Sequence, residues 1–144
     1  MTDWGRVGPN LEEPLDLLAE RAQRYNAWVF ERCAPHLGKR VLDFGAGTGT
    51  FTSLLAKDHA RSVVAYEPHP EHADLLRARF AGTAVQVVED IRDGEFDSTV
   101  CLNVIEHIED DRLALRRIHE VSAPAARLLV LTPAHAALYG AYDS

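Results

Sequence analysis

The chain is poor in cysteine, in basic charge and in long apolar runs, and each shortage removes a class of protein. Cysteine occurs twice in 144 residues, as Cys33 and Cys101. The two are far apart and flanked by apolar neighbours, a pattern of reduced core thiols rather than of a disulfide framework or a metal site. Lysine and arginine number 15 against 22 aspartates and glutamates, a net charge of −7. Nucleic-acid partners call for a basic surface, so none is expected. No stretch reaches the length of about 18 apolar residues that would read as a membrane span. The opening "MTDWGRVGPN" has no apolar leader segment, which makes a cytoplasmic protein without membrane contact the expectation. Linkers rich in proline, glycine or serine are missing, as are repeats and low-complexity tracts. Residues 1–144 therefore read as one domain, with hydrophobic residues at 47%, enough to build a core.

What is present alternates between two kinds of segment. A helix is predicted over 12–38, with Pro14 in its first turn and Leu15, Leu18, Ala22, Tyr25 and Val29 at helical spacing. Pro35 and Gly38 stop it. "RVLDF" is a short apolar run closed by glycine and reads as a buried strand. Helices are then predicted over 50–60, 70–82 and 109–123, and strands over 62–68, 84–91, 96–105 and 127–133. The acidic start of "EDDRLALRRIHEVSA" suits a helix N-terminus, where the macrodipole favours negative charge. Five strands whose apolar residues do not alternate, separated by helices, predict an α/β protein. Its architecture is a three-layer, Rossmann-like sandwich around a mainly parallel sheet, with a helix ahead of the first strand.

The densest signal is "RVLDFGAGTGTF", in which Gly45, Gly47 and Gly49 alternate between the first strand and the next helix. Glycine admits positive φ and lets a ligand approach the backbone, and the helix that follows presents unpaired N–H groups. A plain tight turn would need one or two glycines, so the triplet predicts a ligand at the carboxyl end of the sheet. A dinucleotide fingerprint would place its third glycine where Thr50 stands. Asp43, two residues before the first glycine, would repel a pyrophosphate and favour a ligand carrying an ammonium and a sulfonium.

At this point the motifs resemble those of the class I S-adenosylmethionine-dependent methyltransferases, and especially the branch of ubiquinone-type and other small-molecule O-methyltransferases. "VLDFGAGTG" is similar to their first motif, "VVAYEP" to the second, "VVEDI" to the third and "FDSTVCLNVIEHIEDD" to the fourth, in order from about Tyr25 onward. The resemblance implies methyl transfer from S-adenosylmethionine to a small-molecule acceptor by in-line displacement. It implies that Gly45, Ala46, Gly47 and Gly49 pack against the methionine and ribose and that Asp43 faces the ammonium. Glu67 would accept both ribose hydroxyls, as an acceptor-only carboxylate can, and Pro68 would flank the adenine. Asp90, or its neighbour Glu89, would accept the adenine amino group, with Ile91 on the ring; Asn103 and Val104 would lie by the sulfonium.

Two alternatives stay open beside the enzyme: a module that holds S-adenosylmethionine or its demethylated product without turnover, and a nucleotide-dependent oxidoreductase. His107 follows the fourth strand and is a candidate general base for a hydroxyl acceptor; the competing role is to cap the next helix together with Glu106. His135 and Tyr139 follow the fifth strand, where substrates of the family often sit. No metal site is expected, because His69, His72 and the Glu106–His107 pair lack further ligands at suitable spacing. Tyr25, Trp28 and Phe30 make the first helix either a lid over the cofactor or a layer docked on the sheet. The family's sixth and seventh strands find no room before "LYGAYDS", so the expectation is a fragment, a natural short form, or a domain whose missing edge a partner supplies. The fifth strand is then an exposed edge, inviting association with a second copy.

Overall fold

The computed structural model describes residues 15–92 and 94–133. Helix α1 spans Leu15–Cys33 and runs into a 3-10 turn at Ala34–His36. There follow β1 (Arg40–Phe44), α2 (Thr50–Leu55), β2 (Ser62–Tyr66), α3 (Pro70–Arg79), β3 (Gln86–Val88) and β4 (Phe96–Leu102). A second 3-10 turn (Ile105–His107), α4 (Asp111–Glu120) and β5 (Ser122–Leu131) complete the described chain. The five strands form one sheet in the order β3-β2-β1-β4-β5. Every neighbouring pair is parallel. The order reverses between β1 and β4, so their carboxyl ends flank the crevice in which such sheets bind ligands.

Helices cover both faces, which is why the strands read as unbroken apolar runs. On one face Leu42, Phe44, Val64 and Cys101 pack with Ala114, Ile118 and Val121 from α4 and its end. On the other, Val41, Val63 and Val100 pack with Leu55 of α2, and Phe30 of α1 joins them. Val29 is buried as well, so α1 is docked on the sheet. Its Tyr25 and Trp28 stack on each other and stand half-exposed. Among the described residues no helix is long and apolar enough to cross a membrane. Both cysteines are free thiols, and burial pushes Cys101 up to about 11.

Two boundaries differ from the sequence reading for local reasons. Helix α2 stops at Leu55 rather than at residue 60, because Asp58 draws the chain into a turn. Its carboxylate accepts the Ala60 N–H at 3.0 Å and pairs with Arg61, and such local bonding competes with helix. Helix α4 stops at Glu120 and strand β5 begins at Ser122, where the sequence pattern carries the helix to residue 123 and begins the strand at 127. Its register with β4 runs Phe96↔Ser122 and then Ser98↔Arg127, an irregularity that bends the strand. Ala125 sits in that bend at φ 63, a conformation that favours glycine.

Candidate functional site

The site is built where β1 and β2 end. Gly45, Gly47 and Gly49 take φ of 77, 54 and 81, so the chain turns left-handed at every second residue. The N–H groups of Gly45 and Ala46 both donate to the Tyr66 carbonyl at 2.9 Å, tying the loop to β2. On its far side α3 holds the loop. Arg79 donates to the Thr48 carbonyl at 2.5 Å, and a Cβ on Gly49 would stand 2.6 Å from Leu76 Cδ2. A Cβ on Gly45 would meet Val104 Cγ1 at 2.6 Å, so β1 and the segment after β4 close on each other there. Gly47 differs, since nothing lies within 4 Å of its would-be Cβ. That open face is the cradle.

Two buried carboxylates flank it. Glu67, 5% exposed, directly follows β2. Its Oε2 accepts the Gly47 N–H at 2.9 Å and its Oε1 accepts the His69 N–H at 3.0 Å. The acid thus fastens the glycine loop to the chain entering α3, while lone pairs remain on both oxygens. Asp43, 4% exposed, lies in β1 with its Oδ2 accepting from Thr52 Oγ1 at 2.6 Å. Burial pushes the Asp43 carboxyl up to about 6; the Thr52 hydroxyl opposes the rise and the charge of Glu67 adds to it. Glu67 thus has two backbone donors and the His72 Nδ1 3.9 Å from its Oε1, whereas Asp43 has the Thr52 hydroxyl alone against its burial and the like charge of Glu67.

Beside the loop opens a cleft of about 770 Å³, lined mainly by apolar surface. Gly45, Glu67, Pro68, Asn103, Val104 and His107 all line it. So do Phe44, Tyr66, His69 and Ile108, and a stripe of α4 comprising Leu113, Ala114, Arg117 and Glu120. Asn103 has φ 55 and donates its N–H to the Leu131 carbonyl at 2.7 Å, which turns the chain into the cleft as it leaves β4.

Residues 18–141 match a family described as methyltransferase domain. The chain belongs to the methyltransferase-domain family. It is 30% identical over 138 residues to a ubiquinone biosynthesis O-methyltransferase of Xanthomonas axonopodis pv. citri, covering 90% of this chain and 55% of that protein. It is 26% identical over 133 residues to the O-methyltransferase resE of Aspergillus sclerotiorum, covering 85% and 49%. The chain thus spans about half the length of the curated relatives it matches. Among solved structures, the StiE O-MT superposes with a TM-score of 0.69 at 20% identity, over 84% of this chain and 47% of the other. The glycopeptide N-methyltransferase MtfA, complexed with S-adenosyl-L-methionine, gives 0.61 at 20% identity over 75% and 53%. The [4+2]-cyclase SpnF gives 0.63 at 24% identity over 76% and 44%. These likenesses establish the fold, which more than one reaction shares.

Within this methyltransferase domain the residues singled out from sequence divide into three groups. Gly45, Glu67, Pro68, Asn103, Val104 and His107 share the cleft. Asp43, Ala46, Gly47 and Gly49 are outside its lining and adjoin it through their chain neighbours Phe44 and Gly45. Asp90 and Ile91 follow β3 and stand apart from the lining. Ile91 is buried in the core beside α4, and the exposed carboxylate of Asp90 bonds Arg92 Nε at 2.7 Å, which holds it below the usual carboxylate range. Glu89 is bonded to Arg77 at 2.6 Å. The cap of α4 is Asp110, whose Oδ1 accepts the Leu113 N–H at 2.8 Å, and not Glu106 or His107. His135 and Tyr139 lie outside the described residues. Sequence reasoning missed Thr52, which reads as one more residue of α2. It also missed the α4 stripe, whose three- and four-residue spacing from Asp110 to Arg117 was there to be seen.

Proposed function

We propose that this domain binds S-adenosylmethionine and transfers its methyl group to a small-molecule acceptor. The observation that carries the reading is the pair of buried carboxylates at the ends of neighbouring strands, Asp43 in β1 and Glu67 after β2, the latter fastened to a glycine whose missing Cβ leaves open space. A cationic ligand would offset the buried negative charge of Asp43, and a diphosphate would add to it. In this reading Asp43 faces the ammonium, Glu67 accepts the ribose diol on its remaining lone pairs, and Ala46 and Gly47 pack along the ligand backbone, while Gly49 shapes the loop from its place against Leu76 and Phe80. Pro68 flanks the adenine. Asp90 has lone pairs beyond those that its arginines engage and accepts the amino group, with Ile91 behind the ring. Asn103 and Val104 border the reacting end.

The cofactor supplies an electrophilic methyl on a sulfonium. The chain's own task is to hold the acceptor in line and to keep water out, which can be worth about 7–11 kcal/mol of barrier. The apolar cleft suits that task. His107 lies on its wall, where an imidazole can take the proton of a hydroxyl acceptor. The O-methyltransferase names of the relatives support oxygen as the nucleophile. A second reading, binding of the cofactor without methyl transfer, is separated from the first by turnover.

Parallel calorimetric titrations with S-adenosylmethionine, S-adenosylhomocysteine and NADH test the cofactor. Micromolar binding of the first two, lost in Glu67→Ala, is the expected result. Binding of NADH alone would sink the methyltransferase reading, and binding without formation of S-adenosylhomocysteine over a panel of phenolic acceptors would favour the second reading.

A further inference from the structure

Thr52 is completely buried, at 0% exposure, on the third residue of α2. A position sealed between a helix and a sheet is ordinarily filled by an apolar side chain, and valine has the shape of threonine without the hydroxyl. Here the hydroxyl is kept, and its proton goes to Asp43 Oδ2 at 2.6 Å. That length is typical of a donor on an ionised carboxylate. The groups that bear on Asp43 are few. Glu67, at the end of β2, adds like charge. Cys101 on β4 also feels Asp43, but its thiol is neutral, with burial pushing it up to about 11. Thr52 is the one side chain seen to donate to Asp43 among the described residues.

We propose that Thr52 is a positioning residue for the cofactor's ammonium end: its hydroxyl keeps the Asp43 carboxylate ionised and fixed in orientation beneath the glycine loop. The inference rests on the S-adenosylmethionine reading above and adds to it a residue that touches no ligand. Thr52 lies outside the cleft lining, so its effect on binding has to pass through Asp43. Loss of the hydroxyl removes a hydrogen bond to a buried charge and makes protonation of Asp43 easier by about one pH unit or more. A protonated Asp43 offers no charge to an ammonium. The damage is therefore greatest at mildly acid pH and fades as the solution becomes alkaline, whereas a packing defect would weaken binding equally at every pH.

The test uses the full chain, its Thr52→Val variant and its Thr52→Ser variant, titrated with S-adenosylmethionine between pH 5 and 8.5. For Thr52→Val the expected result is a loss of about threefold at pH 6.5 that vanishes toward pH 8.5. Thr52→Ser, which restores the donor, returns the profile to that of the parent. The carboxyl carbon resonance of Asp43, followed by NMR without cofactor, should titrate about one unit higher in Thr52→Val. If Thr52→Val does not fold, Thr52→Cys carries the weaker thiol donor at similar size and should show a shift of the same sign. Equal losses at pH 6.5 and 8.5, or profiles identical to the parent's, overturn the inference while leaving the cofactor reading intact. Failure of the parent chain to bind at any pH overturns both.

Discussion

Asp43 shows how a single residue can serve a site at the expense of the fold. Its carboxyl is raised from 3.8 to about 6 by burial, against the Thr52 hydroxyl and with the help of Glu67. A group raised on folding contributes stability that is complete below its unfolded value and lost as the pH climbs through its folded value. For Asp43 the window is about pH 4 to 6, and the difference is on the order of 3 kcal/mol. Asp43→Asn keeps an acceptor for Thr52 and removes the charge. It should raise the melting temperature by about 5–10 °C at pH 8, by a margin that vanishes near pH 4, while abolishing S-adenosylmethionine binding. Melts across that range check it, and a destabilised variant at pH 8 would mean that the carboxylate is better solvated than its burial indicates. Asp43, the glycines and Glu67 were legible in the sequence because their meaning lies in a few adjacent residues. Thr52 was not, since its partner stands nine residues away across a turn. Nor was the pairing of Asp90, whose arginines come from its own loop and from α4.

At the scale of elements, the glycine loop separates two kinds of glycine that look alike in sequence. Gly49 has φ 81, and its Cβ would stand 2.6 Å from Leu76 and 2.8 Å from Phe80. Gly47 has φ 54 and open space where its Cβ would be. Gly49→Ala combines backbone strain with overpacking and should cost about 2–4 kcal/mol of stability. Gly47→Ala carries the strain alone, about 1–2 kcal/mol, yet projects a methyl into the cradle and should lower cofactor affinity at least tenfold. Denaturant melts paired with titrations distinguish the two variants; a Gly47→Ala domain that binds normally would show that the cradle is not where the ligand lies. The existence and order of the elements could be read from apolar runs and stop signals. Their limits could not, because Asp58 ends α2 through its own hydrogen bonds and β5 reaches back through a bend at Ala125.

The strand order belongs to the whole molecule, and local patterns say little about it. β1 pairs with β4 across two intervening strands, a contact set by how the helices fill the two faces. Among the described residues the order leaves β5 at an edge. Leu128 and Val130 are 41% and 46% exposed on that strand, and Leu115 of α4 is exposed as well. An unpaired edge that also carries exposed apolar side chains is a template for another chain. The described domain should therefore self-associate as its concentration rises through the micromolar range, giving a larger mass in sedimentation or light scattering. Val130→Lys puts a charge on the edge at a half-exposed position outside the cleft lining. It should reduce association by at least severalfold and leave melting temperature and S-adenosylmethionine affinity within error of the parent. A parent that stays monomeric at every concentration, or a variant that associates as strongly, would show that β5 is covered within a single copy of the chain.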